Sequence, residues 1–325
     1  MMIKLQIRLA RVVMGAFVFL LALPSLPAND LGPMPWDKLY SSCMKSSVDV
    51  HIYKSASGSA EGSGFVFNEA GYGFSNCHVV SVEGTRMVSF GDGTRLPFKV
   101  IVRKDDLDIA MIKVESDKPL YAGKLGYSSK LVVGEPVMAI GNHATMGMMA
   151  TCGIISGINR FYGYNWHLPG NEMATTIHYD MIQTDAYIVG GNSGGPLYNS
   201  LGEVIGINSG ERRFARRMAF SIPIDKCITL MPGLLTDAAY YKFTLGMNVD
   251  ARSVGIVTNV VAGTPAEVAG VKVGDRVINV DGKTVKLGLD FWTYLIDLKP
   301  GTAVRLTLKR GKADVITTVI LGAPK

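Results

Sequence analysis

Several absences narrow what this chain can be. Beyond its first thirty residues, no stretch is long and apolar enough to cross a membrane, which takes roughly 20 consecutive apolar residues. No tract is of low complexity, charged residues make up only 18% of the chain, and the 37 glycines follow no fixed period. Disordered, collagenous and multi-span classes are thereby excluded. No two cysteines or histidines stand at zinc-ligand spacing, and the neighbours Cys77 and His78 cannot easily chelate one ion, so no metal is expected. The formal charge of +6 is scattered. Its densest cluster, Arg212, Arg213, Arg216 and Arg217, lacks the interleaved aromatics of a nucleic-acid platform and reads as a solvated loop.

What is present points to an exported protein of two folded units. Residues 1–28 carry a basic stretch (Lys4, Arg8, Arg11), an apolar run from Val12 to about Leu23, and a small-residue exit at Leu26-Pro27-Ala28. That is the layout of a signal peptide, with retention as an N-terminal membrane anchor as the alternative. Export permits disulfides among Cys43, Cys77, Cys152 and Cys227, and the three complete pairings stay open. A length of 325 residues suits two domains. From residue 47 to about 224, short apolar or alternating runs (VDVHIY, GSGFVFN, FKVIVR, IAMIKV, GEVIGIN) are punctuated by glycine, as in an all-β barrel or sandwich. A short helix over Asp225–Leu235 closes that unit at 47–235, after an N-terminal segment at 29–46, and a connector follows at 236–243. Residues 244–325 then form a small α+β unit, with a hairpin signal at Asp281-Gly282 and a helical stripe at Leu289, Trp292 or Thr293, and Ile296.

The sharpest chemical signal is Gly191-Asn192-Ser193-Gly194-Gly195-Pro196. Glycine on both sides of a serine lets backbone N–H groups converge beside its hydroxyl, as stabilisation of a developing oxyanion requires. A serine hydroxyl is a weak nucleophile and needs a histidine base oriented by a carboxylate. His78 ends an apolar strand in GFSNCHVV, and Asp108 opens one in DDLDIAMIKV. The order His, Asp, Ser is that of the double β-barrel proteases. His51, His143, His167 and His178 have no such setting and read as surface or structural.

Through these segments the chain resembles the HtrA/Deg family of trypsin-like serine proteases, from about Ser47 to Leu321. The resemblance implies a mainly β fold, a double β-barrel protease domain followed by one small α+β PDZ domain. It makes His78 the general base and acid, Asp108 its orienting partner and Ser193 the nucleophile, with an oxyanion hole at Gly191, Asn192 and Ser193. The specificity pocket is expected at Tyr187, Ile188, Ile207 and Asn208, where no acid stands to select a basic side chain. Cleavage after small or medium apolar residues follows from that. Thr244, Leu245, Gly246 and Met247 resemble the loop whose amides hold a peptide C-terminus. No cofactor is implied.

This chain departs from the family pattern at Val189-Gly190, where relatives carry Asn-Pro, and at Cys77 beside the base. The aromatic segment Asn159–Tyr179 corresponds to a long sensor loop in the family. The expected activity is ATP-independent cleavage of misfolded or partly unfolded proteins in the periplasm or outside the cell, by a homotrimer whose PDZ domain grips exposed C-termini. The alternatives are a membrane-tethered regulatory protease switched by PDZ ligand, and a chaperone or scaffold that only binds.

Overall fold

Period-two alternation organises the first third of the chain. In the strand Ser47–Tyr53, Val48, Val50 and Ile52 point to one face and are fully buried, while Asp49 and His51 take the other. The computed structural model describes residues 35–53, 59–142, 146–167, 173–211, 217–235, 243–296 and 298–323. Expectations for the signal peptide, for connector residues 236–242 and for Arg212, Arg213 and Arg216 lie outside these.

Six antiparallel strands close the first barrel: Ser47–Tyr53, Ser59–Val66, Tyr72–Ser75, Ile109–Val114, Arg95–Lys104 and Thr85–Phe90, the last pairing back to the first. A second ring runs through Pro196–Asn199, Pro136–Asn142, Met148–His167, Met173–Thr184, Ala219–Pro223 and Glu203–Glu211, and the Pro196–Asn199/Glu203–Glu211 pairing closes it. Closure removes the free edges that open sheets must protect. The fold is thus a trypsin-like double barrel, its active-site segments at the seam between the two. Helix Ile224–Leu235 follows the last strand of the second ring.

In the segment Asn159–Tyr179, where the family resemblance implied a loop, residues 159–167 and 173–179 are strand. They lie in a long hairpin whose strands Met148–His167 and Met173–Thr184 pair as far as His167 with Met173. Alternating aromatic and small residues continue the strand period, which the reading as a loop overlooked.

The last third forms the α+β unit. Met247–Val249 pairs with Val257–Val260, a four-stranded sheet joins Lys283–Thr284, Arg276–Val280, Ala303–Arg310 and Ala313–Ile320, and helix Gly288–Leu295 packs on them. Asp281 and Gly282 both have positive φ, 47° and 85°, as the hairpin signal requires. Residues 34–325 cluster as one compact unit, so the two domains are in contact. Asn68 Nδ2 donates to Asp290 Oδ1 and Thr293 Oγ1, both at 3.3 Å, and Lys286 pairs with Glu69 at 2.8 Å. Arg252 stacks 4.0 Å from the centre of the Tyr127 ring and pairs with Asp225.

An element not foreseen is the helix Trp36–Cys43, which buries Leu39 and Cys43 against the second barrel. The wholly buried Tyr198 fastens it. Its hydroxyl lies 3.1 Å from the Cys43 carbonyl, 3.1 Å from Ser46 Oγ and 3.0 Å from Ser47 Oγ. Tyr198→Phe removes these bonds while Ser46 and Ser47 keep theirs to the Cys43 carbonyl, and is expected to lower stability by about 0.5–1.5 kcal/mol in a denaturant titration. An unchanged midpoint would show that water replaces the hydroxyl.

Candidate active site

Asp108 occupies a conformation that a non-glycine residue adopts only when its surroundings demand it. Its φ of 56° follows a single 3₁₀ turn, Asp105–Leu107. The carbonyl is held by Asn76 Nδ2 at 2.9 Å and by the Cys77 N–H at 3.3 Å. Its buried carboxylate accepts from the His78 N–H at 3.0 Å and from Ser209 Oγ at 3.2 Å, and lies 2.8 Å from His78 Nδ1. His78 stands in a short helix, Cys77–Val80, with its side chain half exposed. An imidazole tied at Nδ1 to a buried carboxylate presents Nε2 outward as a base, and the carboxylate stabilises the charged ring once it takes a proton.

Ser193 lies beside this pair, but its hydroxyl donates to the Ser209 carbonyl at 3.2 Å. Among the described residues it makes no hydrogen bond to His78. One proton serves one acceptor, so in this arrangement the Ser193 hydroxyl is committed to the Ser209 carbonyl.

The serine loop is shaped by its neighbours. A Cβ on Gly194, whose φ is +86°, would meet the Ser63 carbonyl at 2.2 Å and Ser75 Oγ at 2.4 Å, so no larger residue fits. Gly194 N–H donates to the Asn208 carbonyl at 2.7 Å, and Gly195 N–H to the Asn192 carbonyl at 3.0 Å. The Gly191 and Ser193 N–H groups donate to no backbone carbonyl among the described residues. Two donors left unengaged around a serine are what an oxyanion site needs. At Gly190 a Cβ would meet nothing within 4 Å, so packing does not require that glycine.

The four residues expected at the specificity pocket divide. Tyr187 is half exposed, whereas Ile188 and Ile207 are buried in the core. Asn208 is fully buried, its side chain bonded to the Pro196 carbonyl and Ser221 Oγ. The strand therefore uses Asn208 to hold the serine loop.

In the second domain, Thr244, Leu245, Gly246 and Met247 edge a groove of about 250 Å³, floored in part by Trp292. Gly246 has φ +80°, and a Cβ there would meet Thr264 Oγ1 at 2.0 Å. The N–H groups of Leu245 and Gly246 donate to no backbone carbonyl among the described residues. Free amides at the head of an apolar groove suit a carboxylate.

Residues outside the expected set also belong to the site. Ser209 and Asn76 support Asp108, and His178, read as surface or structural, is buried within electrostatic range of Asp108 and His78. Burial holds its imidazole below the ordinary value. No local motif marks any of the three, because their positions depend on how the strands close. All four cysteines are free thiols. Cys77 stiffens the histidine segment without a disulfide, through Sγ–H to the Ile109 carbonyl at 2.9 Å, and burial pushes its thiol up to about 12.

Comparison with known proteins matches both domains. A trypsin-like peptidase domain matches residues 62–207, and a PDZ domain matches 244–321. A probable periplasmic serine endoprotease DegP-like of Rhizobium meliloti is 32% identical over 278 residues, 80% of this chain and 53% of that protein. One of the same description from Halomonas elongata is 34% identical over 279 residues, 80% of this chain and 56% of that protein. The chain thus spans about half the length of the curated relatives it matches. Among solved structures, the HtrA-type protease AlgW with tripeptide is 25% identical, with a TM-score of 0.55 and coverage of 90% of this chain and 98% of that one.

Cys152 is the one exposed thiol of the four. A thiol reagent at neutral pH is expected to modify one cysteine in the native protein and four after unfolding. Rapid labelling of Cys77 would show that the segment beside His78 opens.

Proposed function

The chain belongs to the HtrA/DegP-like serine proteases, which join a trypsin-like peptidase domain to a PDZ domain, and from that premise we propose that it is an exported endopeptidase of unfolded proteins. The reading is carried by one arrangement: the buried Asp108–His78 pair at the barrel seam, with Ser193 and two unengaged N–H donors beside it. In this role Ser193 Oγ attacks the scissile carbonyl after its hydroxyl turns toward His78. His78 takes the proton and later delivers it to the leaving amine. Asp108 keeps the ring oriented, and the Gly191 and Ser193 N–H groups receive the oxyanion. No step calls for a cofactor.

Tyr187 is the exposed member of the proposed specificity set, and the absence of an acid there supports cleavage after small or medium apolar residues. The groove at Thr244–Met247 takes an apolar C-terminal residue of a protein chain. Unfolded proteins supply both kinds of site. Periplasmic location and assembly as a trimer through the peptidase domains belong to the same proposal, supported by the relatives' names for the first and by likeness to the family for the second.

A regulatory variant of this reading has its own support. The hydroxyl of Ser193 rests on the Ser209 carbonyl, and both walls of the peptide groove lead to contacts with the peptidase domain: Arg252 three residues beyond Met247–Val249, and Asp290 with Thr293 on the helix that carries Trp292.

The mature chain is expected to degrade reduced casein, and Ser193→Ala to abolish the cleavage. Gly246→Ala is expected to lose binding of a peptide with an apolar C-terminus, read by fluorescence polarisation. Predominant cleavage of a peptide library after lysine or arginine would overturn the specificity proposed. If the PDZ domain restrains the active site, the peptide raises the rate, and Arg252→Ala brings the basal rate close to the stimulated one. An unchanged ratio between the two rates would remove the regulatory variant.

A further inference from the structure

Ser63 lies on the first barrel, in the strand Ser59–Val66, while the nucleophile loop belongs to the second. We infer that Ser63 is a positioning residue for the reaction, holding from across the seam the loop that supplies both oxyanion donors. The inference rests on the peptidase reading above.

Every polar atom of this fully buried residue is engaged. Its N–H donates to the Ser193 carbonyl at 2.8 Å, and its carbonyl accepts from Ser75 Oγ at 2.7 Å. Its hydroxyl accepts from the Asn142 N–H at 2.8 Å and donates to the Gly191 carbonyl at 2.8 Å. The direction of that last bond is fixed by chemistry, because a carbonyl only accepts and the hydroxyl has one proton to give. Two residues of the proposed oxyanion site, Gly191 and Ser193, are thus gripped by the O–H and the N–H of one serine.

The grip bears on N–H direction. The 191–192 peptide plane is pinned at both ends, its carbonyl by Ser63 and its N–H by the Val189 carbonyl at 3.0 Å. With that plane fixed, the direction of the Gly191 N–H depends only on the two backbone torsions of Gly191, of which φ stands at +98°. The next plane, which carries the Ser193 N–H, is held by Asn192 C=O accepting from Gly195. Glycines at 190, 191, 194 and 195 give this loop many alternative shapes. Oxyanion stabilisation requires donors aimed before the charge forms, so a loop this free needs an external hold.

Alanine at position 63 keeps the backbone bonds and loses the hydroxyl, freeing the 191–192 plane to turn. The matched control is Ser47→Ala, another buried serine, whose hydroxyl bonds Cys43 and Tyr198. With a chromogenic peptide substrate and the full chain, Ser63→Ala is expected to lower kcat by about 10- to 100-fold with KM within about twofold of wild type, less than the roughly 100- to 1,000-fold that follows outright loss of one oxyanion donor. A peptide boronic acid, which forms a tetrahedral adduct on the serine, is expected to weaken by a similar factor. Ser47→Ala loses stability and keeps kcat. Ser63→Cys, with a weaker donor in the same place, is expected to fall between Ser63→Ala and wild type, and preserves the test if the alanine variant does not fold.

A wild-type kcat in folded Ser63→Ala or Ser63→Cys, a change confined to KM, or an equal kcat loss in Ser47→Ala would each overturn the inference. An active wild type beside an unaffected Ser63→Ala overturns this inference alone. A wild-type chain that neither cleaves nor binds the boronate overturns the peptidase reading, and this inference with it.

Discussion

A buried carboxylate must be met by donors from every side, and at Asp108 that requirement ties the two barrels together. Leaving such a charge unpaired would cost several kcal/mol, far more than any one hydrogen bond contributes. The first barrel meets it with the His78 N–H and ring, and the second with Ser209 Oγ. Ser209 in turn offers its carbonyl to Ser193, so satisfying Asp108 also places the Ser193 hydroxyl. The positive φ of Asp108 is the local strain accepted for this arrangement, held by Asn76 and Cys77 through its carbonyl. Separating the barrels would expose the whole chain of bonds at once.

The same physical device occurs twice in the molecule. At Gly191 and Ser193 and again at Leu245 and Gly246, a loop with a glycine at positive φ leaves two N–H groups without a backbone acceptor among the described residues, beside a cavity or seam. Such groups are costly to bury empty and inexpensive to leave facing solvent or an anion. The first site suits a transient oxyanion and the second a permanent carboxylate. Steric crowding keeps both places open to glycine alone, through Ser63 and Ser75 against Gly194 and through Thr264 against Gly246.

Sequence made much of this legible for definite reasons. His78, Asp108 and Ser193 each sit in a local pattern that their chemistry needs: a strand end, a strand start and a glycine-flanked turn. The Asp281-Gly282 hairpin and the helix at Ile224–Leu235 were visible because turn chemistry and apolar spacing are local properties. Ser63, Ser209 and His178 were not, since a serine or histidine in a strand gains its role from whichever strand closes against it. Residues 159–167 and 173–179 were expected in a loop from the family correspondence, whereas their pairing is set across the sheet. Ile188 and Ile207, expected near the substrate, are core residues, as strand alternation at an uncertain register permits. The free thiols could not have been foreseen, since the number and spacing of cysteines leave pairing open.

The resting position of the Ser193 hydroxyl sets the scale on which this site can be controlled. Moving its proton from the Ser209 carbonyl to His78 Nε2 exchanges one hydrogen bond for another, so the net difference is on the order of 1 kcal/mol rather than the cost of breaking a bond outright. An equilibrium that shallow is reversed by small changes elsewhere, since each 1.4 kcal/mol shifts populations about tenfold. Contacts at the domain boundary are of the same size. A half-buried Arg252–Asp225 pair with its aromatic stack, or the two bonds from Asn68, each lie in the range of about 1 to a few kcal/mol. Under the regulatory reading proposed above, a peptide that binds better when those contacts loosen changes the populations of the active site without unfolding either barrel. The buried Asp108 network, whose disruption costs more, stays outside that range and remains the fixed frame about which Ser193 turns.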